Sequence, residues 1–76
     1  MTHLMEVAPD YFKQVENAIK NYILVKNVRP YDHGDTLILQ DANDAKNELL
    51  LTIQSVDKNV NGLKSDYCIL SFQIKS

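Results

Sequence analysis

Four cations, Lys13, Lys20, Lys26 and Arg29, fall in a stretch whose one carboxylate is Glu16, so residues 13–29 carry a local charge of +3 in a chain of formal net charge −2. The stretch at residues 32–48 reverses the sign: Asp32, Asp35, Asp41, Asp44 and Glu48 stand against Lys46, a local charge of −4. Ammonium and guanidinium groups bind phosphate oxygens, and tyrosines such as Tyr22, Tyr31 and Tyr67 can stack unpaired bases. The same residues have plainer uses. Tyrosines also serve as core or rim residues with a wet hydroxyl, and segregated charge is more often a solvated surface than a binding site. Arg29 suits a phosphate or the carboxylates of Asp32 and Asp35, because its planar fork binds either one in bidentate fashion. The negative total speaks against indiscriminate nucleic-acid binding, which shows as a strongly basic domain.

Other reactive types carry less. His33, Asp35 and His3 match no metal-ligand spacing, so neither a metal nor a cofactor is expected. Gly34-Asp35 reads as architecture, a glycine for a positive-φ corner and an aspartate for a turn hydrogen bond. A single cysteine, Cys68, excludes an intramolecular disulfide and alternates with apolar residues, which predicts a buried, inert thiol. Gly-rich phosphate loops, paired-carboxylate motifs and nucleophile elbows are absent from the sequence.

These groups need elements to position them. At 76 residues, 45% apolar and 24% charged, the chain reads as one globular domain with a modest core held by packing alone. No apolar run reaches membrane-spanning length and the start lacks signal-peptide character, so a cytoplasmic location is expected. His3–Ala8 predicts a strand. Pro9 and Asp10 then open a helix, whose stripe Phe12, Val15, Ile19 and Tyr22 carries it to about Lys20 or Asn21. Lys20 there complements the helix dipole. Tyr22–Val28 predicts a strand, followed by a connection through Pro30 and Gly34 and a short strand at Thr36–Gln40. A polar turn over residues 41–47 leads to a long strand, Glu48–Val56, with Leu49, Leu51 and Ile53 on one face. After a loop containing Asn61-Gly62, the strand Tyr67–Lys75 turns Cys68, Leu70, Phe72 and Ile74 inward. Without crossover helices the sheet should be mostly antiparallel and curled or closed into a barrel.

In this order the features resemble a family. Pro9-Asp10-Tyr11-Phe12 at the helix start, Ala18-Ile19-Lys20 at its exit, Lys26-Asn27-Val28-Arg29, and Tyr31-Asp32-His33-Gly34-Asp35-Thr36-Leu37-Ile38-Leu39 are similar to a small bacterial and phage family of the ASCH superfamily. The segment Gly62-Leu63-Lys64-Ser65-Asp66-Tyr67-Cys68-Ile69-Leu70-Ser71 matches its closing pattern. The resemblance implies a mainly β, α+β fold with one N-terminal helix: a small PUA-like β-barrel of about five or six mostly antiparallel strands, residues 1–76 forming a single domain. It also implies a pocket between the helix exit, the next strand and the barrel mouth. Related domains are proposed to bind RNA or modified nucleosides there, and a few hydrolyse acylated cytidines with a lysine, a hydroxyl or carboxylate, and a distant glutamate. The family motif G-x-K-x-x-E-x-R falls on Ala18–Val25 and keeps Lys20. Its glycine is Ala18, its glutamate position is Ile23 and its arginine position is Val25.

A lysine without its carboxylate lacks most of an acid–base set, so no catalytic residue is expected. The first expectation is a non-catalytic RNA- or nucleotide-binding PUA-like domain with Lys20, Lys26, Arg29 and Tyr31 as contacts. The alternative is a protein-binding module, phage or mobile-element encoded, with a decayed pocket and the acidic stretch Asp41–Glu48 meeting a basic partner. A nucleoside amidohydrolase is the weaker third.

Overall fold

The computed structural model describes residues 1–27, 29–58, 61–62 and 66–75. Its elements are β1 (Thr2–Val7), α1 (Pro9–Glu16), β2 (Tyr22–Lys26), β3 (Thr36–Asp41), β4 (Asp44–Asp57) and β5 (Tyr67–Ile74). The expected extension of β2 to Val28 and residues 63–65 of the Gly62–Ser71 pattern lie outside the described residues.

Alternation builds the core. Leu37 and Leu39 of β3, Leu51 and Ile53 of β4, and Cys68, Leu70 and Phe72 of β5 all bury the same face. Phe12 and Val15 of α1 pack onto it, which is the apolar stripe of an amphipathic helix laid on a half-buried sheet. The strand order is β1-β3-β4-β5-β2. β1 pairs parallel with β3, and every other pairing is antiparallel. The sheet curls into a half-barrel, and its end strands β1 and β2 stand at opposite ends of the order although α1 alone separates them in the chain.

Several elements depart from the sequence reading. The helix stops at Glu16 because the chain turns left-handed at Ala18, at φ 60°. Ala18 N–H donates to Val15 O (3.0 Å) and Ile19 N–H to Gln14 O (2.8 Å), the paired bonds of a Schellman ending. Ile19 therefore leaves the apolar stripe and is 70% exposed. The polar turn between β3 and β4 is also tighter than expected: Ala42 and Asn43 alone connect the strands, with Asn43 N–H donating to Asp41 Oδ1 (2.9 Å). Ile74 turns out to be exposed rather than inward. Gly34 does occupy a positive-φ corner, at 91°.

Candidate functional site

The exit of α1, the start of β2 and the ends of β4 and β5 surround a groove of about 470 Å³. Val15 and Phe72 form its apolar part, and Lys20, Asn21, Gln54 and Gln73 supply its polar groups. Each polar group has a local cause. The left-handed turn at Ala18 reverses the chain so that Lys20 and Asn21 arrive at the groove and not on a further helical turn. Gln54 sits where the β4–β5 register shifts between Ile53 and Ser55, a bulge that gives one residue no partner of its own and re-aims it. Its amide Nε2 donates to Gln73 Oε1 at 2.6 Å.

Lys20 stands on the rim. Its ammonium lies 5.8 Å from the centroid of the Tyr11 ring and 5.5 Å from that of Tyr22, within cation–π reach. The Tyr11 hydroxyl donates to the Tyr22 carbonyl and ties α1 to β2. Burial, followed by the nearby Tyr22 hydroxyl, raises the Tyr11 pKa, so Tyr11 remains a donor at neutral pH.

The other expected contacts are placed elsewhere. Lys26 is exposed at the far end of β2, and Arg29 is exposed in the following loop; neither lines the groove. Tyr31 is a correction. It is 6% exposed and belongs to the core, with its ring 4.7 Å from that of His3 and tilted by 52°. The parallel pairing of β1 with β3 brings His3 under the loop, and Tyr31 covers it, so no ring face remains for a base. Tyr11, Asn21, Gln54 and Gln73 are groove or rim residues that the sequence reading missed. A signal for Gln54 existed: the inward positions run 49, 51, 53 and then switch parity at Val56.

A second polar cluster is architectural. Asp35 accepts from His3 Nε2 (2.9 Å), from the Met1 ammonium (3.0 Å) and from the Asp32 N–H (3.1 Å). The His3 hydrogen bond, then the ammonium, holds the Asp35 pKa down at about 2. Among the described residues Arg29 forms no ion pair with Asp32 or Asp35. Among the described residues no three His, Cys, Asp or Glu side chains gather to hold a metal ion, and no helix is long and apolar enough to cross a membrane. Cys68 is buried, and desolvation raises its thiol pKa while Lys58 opposes the rise.

A family model described as "Domain of unknown function (DUF3850)" matches residues 2–72. The chain belongs to that family. The match runs from the first residue of β1 to Phe72 within β5 and so takes in the helix exit, Lys20 and the β4 bulge of this DUF3850 chain. A search of curated proteins returns no match. Within the DUF3850 domain, Ile23 and Val25 face Leu70 and Cys68 across the β2–β5 ladder and pack against the core. Both positions are therefore inward-facing and filled by aliphatic packing.

Proposed function

We infer that this chain is a small non-catalytic PUA-like domain of the ASCH kind, which binds RNA or a nucleotide at the helix-exit groove. The observation that carries this reading is the placement of the Lys20 ammonium on the groove rim, over two tyrosine rings and beside the Asn21, Gln54 and Gln73 side chains. Carboxamides present a donor and an acceptor together, which suits the edge of an unpaired base. An ammonium suits the adjoining phosphate. The groove volume falls in the range of small-ligand sites. Lys26 and Arg29, exposed along β2 and beyond it, extend the positive surface toward a flanking backbone. Among the described residues the groove lining includes no carboxylate to give Lys20 an acid–base partner, which supports a reading of binding without hydrolysis.

Fluorescence anisotropy with labelled single-stranded and structured RNA pools tests this. Binding should appear at low salt and weaken as salt rises, and Lys20→Ala should lower the salt slope by about one. Gln73→Ala should weaken binding with little effect on that slope. Acetylcytidine should survive incubation at high protein concentration. Absence of RNA binding at low salt, or binding indifferent to both substitutions, overturns the reading.

A further inference from the structure

β2 stands at one end of the strand order, so among the described residues one of its edges has no neighbouring strand. Phe72 N–H donates to Asn21 O (2.9 Å) and Asn27 N–H donates to Asp66 O (2.7 Å). The register between these bonds runs unbroken from Tyr22↔Ser71 to Lys26↔Tyr67. Bonded pairs recur at every second residue of an antiparallel ladder. Asn21, Ile23, Val25 and Asn27 therefore direct their main-chain groups at β5, and those of Tyr22, Leu24 and Lys26 face the empty edge. The Tyr22 carbonyl is engaged by the Tyr11 hydroxyl, which leaves the Tyr22 N–H and both groups of Leu24 and of Lys26 turned toward a potential strand.

Proteins usually blunt such an edge or cover it. This one is short, but it carries Tyr22 at 46% and Leu24 at 52% exposure. It runs beside an open apolar groove of about 370 Å³, bounded by Val7 and Ala8 at the end of β1, by Tyr11, and by Tyr22–Leu24. Charge selects the occupant. Lys20 lies at one end of the strand and exposed Lys26 at the other, with exposed Arg29 beyond. A second copy docking edge to edge would bring these like charges together, whereas a strand with flanking carboxylates would meet them with opposite charge. The concavity of the groove suits a single extended segment.

We propose that the free edge of β2 binds an extended peptide with an apolar centre and acidic flanks, which adds as a sixth strand on the open side of the half-barrel. Main-chain hydrogen bonds to Leu24 and Lys26 supply the docking, the groove takes an apolar side chain, and Lys20 and Lys26 pair with the flanking carboxylates, a division of labour general to β-augmentation. This surface shares Lys20, Tyr11, Tyr22 and Lys26 with the RNA-binding reading, but the Leu24 main chain and the groove beside it lie outside the helix-exit groove, so substitutions at Leu24 test it separately.

Selection of a displayed random decapeptide library on the full chain tests the proposal, followed by anisotropy titration of the best synthetic peptide. Enriched sequences should show apolar or β-branched residues at alternate positions between Asp or Glu. Leu24→Pro removes an N–H that no ladder bond uses, and Leu24→Glu places a carboxylate on the same edge. Each should weaken the peptide by about tenfold or more with unchanged circular dichroism, and Leu24→Pro, which adds no charge beside Lys26, should leave RNA binding unchanged. If the proline variant does not fold, the glutamate variant carries the test. The proposal is overturned by no enrichment, by enriched peptides without carboxylates, or by binding that Leu24→Glu leaves unchanged. Sedimentation of the chain as a dimer that Leu24→Glu dissolves also overturns it, because the edge then belongs to a second copy.

Discussion

At the scale of single residues, Ala18 and Asp35 each concentrate a testable amount of physics. Ala18 holds a left-handed conformation at φ 60° in the position after the helix cap, where a Cβ is penalised and glycine is not. Ala18→Gly should therefore stabilise the fold by roughly 0.5–1 kcal/mol, the balance of relieved strain against the extra freedom glycine gives the unfolded chain. A higher urea midpoint at unchanged slope is the measurement, and a lower midpoint contradicts it. Asp35 makes a pH prediction. Its folded pKa, about 2, lies below its ordinary value of 3.8, so the unfolded chain binds the proton more readily. The stability it contributes is complete above about 3.8 and is lost as pH falls toward 2. Asp35→Asn should flatten the acid limb of a stability–pH profile, leaving the profile lower above that window; an acid limb of unchanged depth would assign acid sensitivity to other carboxylates.

At the scale of elements, the bulge in β4 links architecture to the candidate site. Ile53 faces Phe72, yet Ser55 faces Ser71 and Val56 faces Leu70, so Gln54 is the inserted residue. Deleting Gln54 would restore continuous alternation from Leu49 through Val56 without moving any inward side chain to the wrong face. The deletion variant should fold with a wild-type far-ultraviolet spectrum and bind RNA more weakly; failure to fold would mean that the twist of the bulge is needed to curl the sheet. Strand positions were legible because alternation is local: Leu49, Leu51 and Ile53 of β4 and Cys68, Leu70 and Phe72 of β5 alternate visibly in the sequence and turn to the one core face, Leu49 only partly buried. The end of α1 was not, because Ile19 and Tyr22 continue the helical spacing while a single left-handed residue, Ala18, overrides it. Tyr31 was misplaced for a different reason. Its partner His3 arrives through a parallel pairing that no local pattern encodes. Lys20 became a candidate by resemblance to a motif, whereas Gln54 and Gln73 beside it come from β4 and β5 and meet it only after the sheet assembles.

At the scale of the whole molecule, β1 and β2 flank α1 in the chain yet occupy opposite ends of the sheet, so the curl depends on the central strands β3, β4 and β5. β4 is paired on both sides, and its side chains alternate between a core and a solvated face. Leu50 and Leu51 are neighbours of the same type on those two faces: Leu51 is fully buried and Leu50 half exposed. A chain of this size has a small core, and its stability should sit near the lower end of the usual range of about 5–15 kcal/mol. Leu51→Ala leaves a cavity at the centre of the sheet and should cost roughly 2–5 kcal/mol, a large part of that total. Leu50→Ala should cost no more than about 1 kcal/mol, because a half-exposed side chain has little transfer energy to lose and opens no cavity. Thermal unfolding of the pair, followed together by far-ultraviolet circular dichroism and tyrosine fluorescence, makes the comparison. If the half-barrel is one cooperative unit, the two probes coincide in both variants and the midpoint of Leu51→Ala alone falls steeply. Probes that separate in Leu51→Ala would show β1 or β2 melting apart from the central strands, and equal midpoints would show that the inner face of β4 does not carry the core.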